Sequence, residues 1–150
     1  ERYRKFYPDL FLPASPRIDV RNYLVAVEVV PVLQALGRTD EAHALLDGIE
    51  RAIRTIPRLG DEGYGPSDLQ IYALRGEKTK ALAALRKAER EGWRGPFWRY
   101  ARDLDPAFDS IRDEPEFKAV FADIERDMAR QRAELAKRPK DAPLDLGVRE

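Results

Sequence analysis

Within ten residues the chain sets two tryptophans, a tyrosine and three arginines: Trp93, Arg94, Trp98, Arg99, Tyr100 and Arg102. Aromatic faces interleaved with guanidinium groups stack on bases, on cations or on peptide side chains, which makes this cluster the strongest candidate for binding chemistry. The competing reading is that the rings fill a junction between helices.

Other reactive types are sparse. His43 is the single histidine and cysteine is absent, so no His/Cys pair shares a metal, and the carboxylates show no calcium-loop spacing. Ser15, Ser67 and Ser110 lack a glycine-flanked elbow, and Ser67 is more simply a helix cap. The pairs Asp103 with Asp105 and Asp113 with Glu114 have the residue types of an acid and a base across a sugar bond. Their positions before apolar runs favour capping, where a carboxylate meets free amides and the positive end of a helix dipole. Gly60, Gly63 and Gly65 lack the lysine and hydroxyl residue of a phosphate loop and read as a linker. No cofactor and no metal are implied, and no catalytic residue is assigned.

The elements that position these residues follow from composition and periodicity. A chain of 150 residues is long enough for one domain with a continuous core. Twenty-seven basic residues balance 27 acidic ones, leaving no global field for nucleic acid or an anionic bilayer, so direct nucleic-acid binding is not expected. No run reaches the roughly 18 apolar residues that span a bilayer, so a soluble domain without membrane insertion is expected. With no cysteine, the compartment stays open between cytoplasmic and extracytoplasmic.

Residues 20–36 are apolar on nearly every face, which predicts a helix buried between neighbours and disturbed at Pro31. Gly37 ends it, Thr39 or Asp40 caps the next, and Ala42, Leu45, Leu46, Ile49, Ile53 and Ile56 form a stripe that Pro57 stops. A glycine-rich link leads to a helix capped by Ser67, and beyond Gly76 a partner runs through Ala81, Leu82, Leu85 and Ala88. Asp105-Pro106 predicts a short helix carrying Phe108 and Ile111. Asp113 with Pro115 opens the longest helix, with Phe117, Val120, Phe121, Ile124, Met128 and Leu135 on one face.

One phrase occurs twice. Gly37-Arg38-Thr39-Asp40-Glu41-Ala42 and Gly76-Glu77-Lys78-Thr79-Lys80-Ala81 both join two apolar stretches, with Ala42 and Ala81 39 residues apart. In each copy a small residue is followed four positions on by a leucine, Ala42 with Leu46 and Ala81 with Leu85, the spacing that lets paired helices approach closely. Over about residues 20–92 the chain resembles tetratricopeptide repeats, whose unit is about 34 residues. Val30 and Leu69 stand where that family has a small residue, and only Tyr72 keeps its aromatic. A resemblance over nearly the whole chain rests on Arg21-Asn22-Tyr23, Gly63-Tyr64-Gly65, Gln70 through Glu77, Glu91-Gly92-Trp93-Arg94, Leu104-Asp105-Pro106 and Ile111 through Phe117. In these phrases it is similar to the carboxy-terminal repeat regions of bacterial winged-helix regulators and adenylate-cyclase-like signalling proteins.

The resemblance implies an all-α fold of tetratricopeptide-like hairpins, an α-α superhelix with a long C-terminal capping helix. The expected organisation is an extended N-terminal segment cut from a longer chain over 1–19 and a helical domain over 20–137. Within that domain, hairpins are expected at about 20–57 and 66–92 and terminal helices at about 97–137; a solvated tail covers 138–150. It also implies a non-enzymatic sensory or docking arm that binds a protein or peptide partner, with self-association as a further option. If the hairpins stack as tetratricopeptide units do, Gln34, Gln70 and Arg75 line the concave side, where glutamine suits a partner's backbone; turning inward to satisfy a neighbouring loop is the alternative. The candidate binding set is therefore Gln34, Gln70, Arg75, Trp93, Trp98, Arg99 and Tyr100. Rival readings are a small-ligand or hydrolytic pocket around Trp93, Trp98 and Gln70, and an oligomerisation spacer.

Overall fold

Three helices of this chain end on a left-handed glycine. A computed structural model describes residues 1–12, 15–55 and 65–139. Among them Gly37, Gly76 and Gly92 have φ of 70°, 73° and 89°. At each, the glycine amide donates three residues back and the next amide five residues back. The pairs are Gly37 to Gln34 with Arg38 to Leu33, Gly76 to Ala73 with Glu77 to Tyr72, and Gly92 to Glu89 with Trp93 to Ala88, all within 2.8–3.1 Å. This double bond satisfies carbonyls that a helix end leaves free and turns the chain sharply. Nothing lies within 4 Å of a Cβ built on Gly37 or Gly76, so it is the backbone conformation, roughly 1–2 kcal/mol worse for other residues, that asks for glycine there.

The described residues form seven α-helices and no strand: α1 Arg2–Phe6, α2 Tyr23–Ala35, α3 Thr39–Thr55, α4 Gly65–Leu74, α5 Lys78–Arg90, α6 Trp98–Asp103 and α7 Pro115–Lys137. Short 3-10 turns cover Pro8–Phe11 and Pro106–Phe108. The first two glycine turns fold α2 onto α3 and α4 onto α5 as hairpins; α4 also meets α2 and α3, and α7 lies on α5. The interior of both hairpins is continuous. Ala42, Leu46, Ala81 and Leu85 are fully buried, as are Val30 and Leu69, so small and bulky residues share one core. Phe117 and Phe121 of α7 pack at 4.6 Å between ring centroids and close the core beside Trp93 and Phe108. Burial of each such ring contributes about 1.5–3 kcal/mol.

Between the hairpins the contacts are polar and specific. Gln34 Nε2 donates to the Leu74 carbonyl at 2.8 Å, and Ser110 Oγ to the Ala73 carbonyl at 2.9 Å, supplying partners to the end of α4. Arg75 bonds Asp47 and Glu50 of α3, each at 2.6 Å.

Several local expectations change. Helix α2 runs unbroken through Pro31, and it is not buried all round: Leu24 and Val32 are exposed, as is Leu36 just beyond its end. Thr39 and Asp40 already lie within α3, and Ser67 is the third residue of α4, buried rather than a cap. Of the four carboxylates read as caps, only Asp105 performs that role, accepting from the Ala107 amide at 2.9 Å. Asp103 ends α6 and pairs with Arg102; Glu114 occupies the cap position of α7 but bonds Lys78, and Asp113 bonds Lys118. The segment 1–19 is not extended throughout, since it carries α1 and a 3-10 turn. Leu135 is exposed on the far end of α7. The Ile56 and Pro57 expectations, most of the glycine link and the tail beyond residue 139 lie outside the described residues.

The close approach of α4 and α5 predicts that Ala81→Leu, at a site with no free surface, costs about 1–3 kcal/mol by overpacking. Ala83→Leu on the exposed face of the same helix should stay within about 0.5 kcal/mol of the parent. Urea unfolding of the two variants checks this, and equal midpoints would show that the hairpin has room it should not have.

Candidate functional site

The third glycine turn is followed by no paired helix. After Gly92 the chain runs through Trp93 to Phe97 before α6, and this stretch stands off from α2 and α4 to leave an open groove of about 710 Å³. One wall is the first turns of α2, with Tyr23, Leu24 and Glu28. The floor includes Ser67 and Gln70 of α4, and the opposite wall is built from Trp93, Gly95, Phe97 and Tyr100. Asp105 and Phe108 close one side.

Helical geometry decides which aromatics face the groove. At about 100° per residue, Phe97, Tyr100 and Ala101 fall on one side of α6, with Trp98 and Arg102 together on another. Trp98 is accordingly 2% exposed and lies outside the groove, with the Arg99 and Arg102 guanidinium groups over its ring at 4.5 and 5.2 Å. Trp93 is also mostly buried, with its ring edge-on to Phe121 at 6.2 Å. A Cβ on Gly95 would come within 3.0 Å of the Trp93 indole nitrogen, so a small residue there lets the loop lie against the ring. Phe97, at 76% exposed, and Leu24, at 56%, give the groove an apolar rim with no covering residue.

The arginines of the cluster are committed elsewhere. Arg94 bonds Asp127 of α7, Glu89 and two backbone carbonyls, pinning the end of α5 to α7. Arg102 pairs with Asp103 and Glu125. Arg112 donates to the backbone carbonyls of Ala101, Arg102 and Asp105.

The groove itself keeps carboxylates. Asp105 is nearly buried; one oxygen accepts from the Ala107 amide and the other from Gln70 Nε2 at 3.0 Å, so no cation bonds its carboxylate. Glu28 is exposed and makes no ion pair or hydrogen bond with any described residue. Burial pushes the Tyr100 phenol above its usual value, and the negative charges of Asp105 and Glu28, with the Tyr3 phenol, add to the rise.

Of the seven residues singled out from the sequence, Gln70, Trp93 and Tyr100 meet at this groove. Gln34 and Arg75 join the two hairpins, while Trp98 and Arg99 stack on each other behind it. Sequence reasoning passed over Leu24, Glu28, Phe97 and Asp105 as lining residues. Glu28 carried a signal, being the only charged residue in the thirteen of α2. Among the described residues no group of three or more histidine or acidic side chains is placed to hold a metal ion, and no helix is long and apolar enough to cross a membrane. No protein-family model, no curated protein and no solved structure matches the chain.

Two outcomes follow. The Arg75 guanidinium, with Arg54 adding to it, holds the Glu50 carboxyl below its ordinary range. A depressed folded-state value contributes stability that is fully present above the unfolded value and is lost as pH falls through the folded one. Arg75→Met should therefore lie below the parent in stability at neutral pH, and the gap should narrow as pH drops below about 4.3; a gap independent of pH in denaturant titrations would contradict the pairing. In the groove, Glu28→Gln should lower the Tyr100 titration midpoint toward the ordinary value of about 10. Carbon-13 tyrosine NMR reads this directly, and an unmoved midpoint would place Glu28 away from the phenol.

Proposed function

We propose that the chain is a non-enzymatic binding module, a pair of degenerate tetratricopeptide-like hairpins serving as the protein-interaction or sensory arm of a larger bacterial signalling or regulatory protein. The repeated turn supports the hairpin reading, since Gly37 and Gly76 share one hydrogen-bond pattern at an interval of 39 residues. The observation that carries the binding reading is the groove with its uncovered rim. Leu24, Phe97 and Tyr100 stand exposed around a concavity whose floor is helix α4. Clustered apolar exposure of this kind marks interaction sites, whereas single exposed apolar residues do not.

The exposed face continues along α2. Leu24, Glu28, Val32 and Leu36 recur every four residues, the spacing of one helical face, and all four are exposed. A partner segment lying in the groove has this stripe to extend over, which favours a peptide over a compact ligand. The volume of about 710 Å³ also falls in the range of small-molecule pockets, and that supports a second reading in which a free ligand is sensed. A thermal-shift screen separates the two, because a ligand that binds only the folded state raises the melting temperature with concentration.

Selection of displayed random peptides on the protein tests the main reading. Binders should lose about tenfold in affinity on Phe97→Ala and on Leu24→Ala, truncations at an exposed rim that leave the core intact. Binders indifferent to both would mean that the partner surface lies elsewhere.

A further inference from the structure

The charge left in the groove says more about its occupant than the apolar rim does. Elsewhere the exposed and half-buried acids of this chain are largely consumed by arginine and lysine. Asp47 and Glu50 meet Arg75, Asp127 meets Arg94 and Arg130, Glu125 meets Arg102, Glu114 meets Lys78, and Glu116 meets Arg86. Among the described residues the groove lining contains two carboxylates and no lysine, arginine or histidine. Glu28 is unpaired, and the Asp105 carboxylate is bonded only by neutral donors. Arg112 donates to the Asp105 carbonyl rather than to its carboxylate.

Aromatic faces accompany these acids. Tyr23, Trp93, Phe97, Tyr100 and Phe108 all contribute to the same lining. A ring face is electron-rich and attracts a cation, and carboxylates beside it add their own attraction. Neutral apolar cargo would gain nothing from Glu28, and an acidic segment would be repelled by it.

We infer that the groove receives an arginine side chain, carried between apolar residues of the partner segment, with its guanidinium against the aromatic wall and facing Glu28 and Asp105. The planar guanidinium suits this better than an ammonium, since it stacks on a ring with its faces and donates to carboxylates with its edges. Each Asp105 oxygen has accepted one hydrogen bond and keeps a lone pair for a second. The inference rests on the binding reading above and specifies the chemistry of its partner.

The displayed-peptide selection distinguishes the two. Peptides that depend on Phe97 should be rich in arginine flanked by apolar residues. A selected peptide remade with citrulline, the neutral isostere, should bind about tenfold more weakly, and Glu28→Gln should weaken the arginine form by several-fold while leaving the citrulline form unchanged. Phe97-dependent peptides whose citrulline forms bind as well as the arginine forms would overturn the cation and leave the groove standing. Peptides that ignore Phe97 altogether would overturn both. Glu28 is exposed and unpaired, so the Glu28→Gln protein should unfold in urea at the parental midpoint, and a displaced midpoint would contradict its placement in the groove.

Discussion

Both hairpins of this chain depend on helices being stopped in the left-handed region. A helix has no internal reason to end while its residues remain good helix formers, and the sequences around Gly37 and Gly76 hold such residues on both sides. Placing glycine at φ near 70–90° lets two amides fold back onto the last turn and reverses the chain within three residues. Twice the reversal is followed at once by a helix that packs against the one before, which makes a hairpin. The third time it is followed by Trp93, Gly95 and Pro96, and the chain leaves the helical surface instead of covering it. The groove exists because one turn of three lacks its second helix.

The same economy governs the polar contacts. The two hairpins are joined where α4 ends, by Gln34 donating to the Leu74 carbonyl and Arg75 to Asp47 and Glu50, so a carbonyl that a helix terminus leaves free becomes part of the joint, while Ser110 from the terminal segment donates to Ala73. Asp105 does comparable work on the other side. Its carboxylate starts a 3-10 turn through the Ala107 amide and reaches α4 through Gln70, while its carbonyl takes Arg112. A residue with that many structural ties is held in place without a counter-ion at its carboxylate. Its negative charge faces the groove as a consequence of how the turn is built.

The hairpins were legible in the sequence because glycine, a small residue at fixed spacing and an apolar stripe all agree there. The long helix was legible for similar reasons, from Pro115 and the Phe117 to Ile124 periodicity. What was not legible is which of several chemically equivalent partners a group would take. Asp113 and Glu114 are both suited to cap α7, yet each has a lysine within reach in the folded chain and bonds that instead. Pro31 removes one amide, and the remaining bonds of α2 carry the helix past it. The aromatic cluster divided for a geometric reason, as successive α6 residues point about 100° apart. Trp98 and Arg99 turned away while Phe97, an aromatic of the same segment outside the candidate binding set, turned in. Gln34 was singled out on an apolar helix and Glu28 on the same helix was not, although it is the one charge in α2.

Overall neutrality conceals this arrangement. Twenty-seven positive and 27 negative side chains cancel at long range, and that removes steering by a global field. Recognition in a groove is decided at shorter range, because at physiological ionic strength charges more than about 8 Å apart are largely screened where water reaches them. Within that distance what counts is which charges have been paired off. Arginines of the aromatic segment are drawn to α7 and to backbone carbonyls, leaving the carboxylates of Glu28 and Asp105 with the rings. A chain with no net charge thus leaves two carboxylates without a counter-ion in its groove, and one of them, Asp105, is held there by the hydrogen-bonding needs of its own turn.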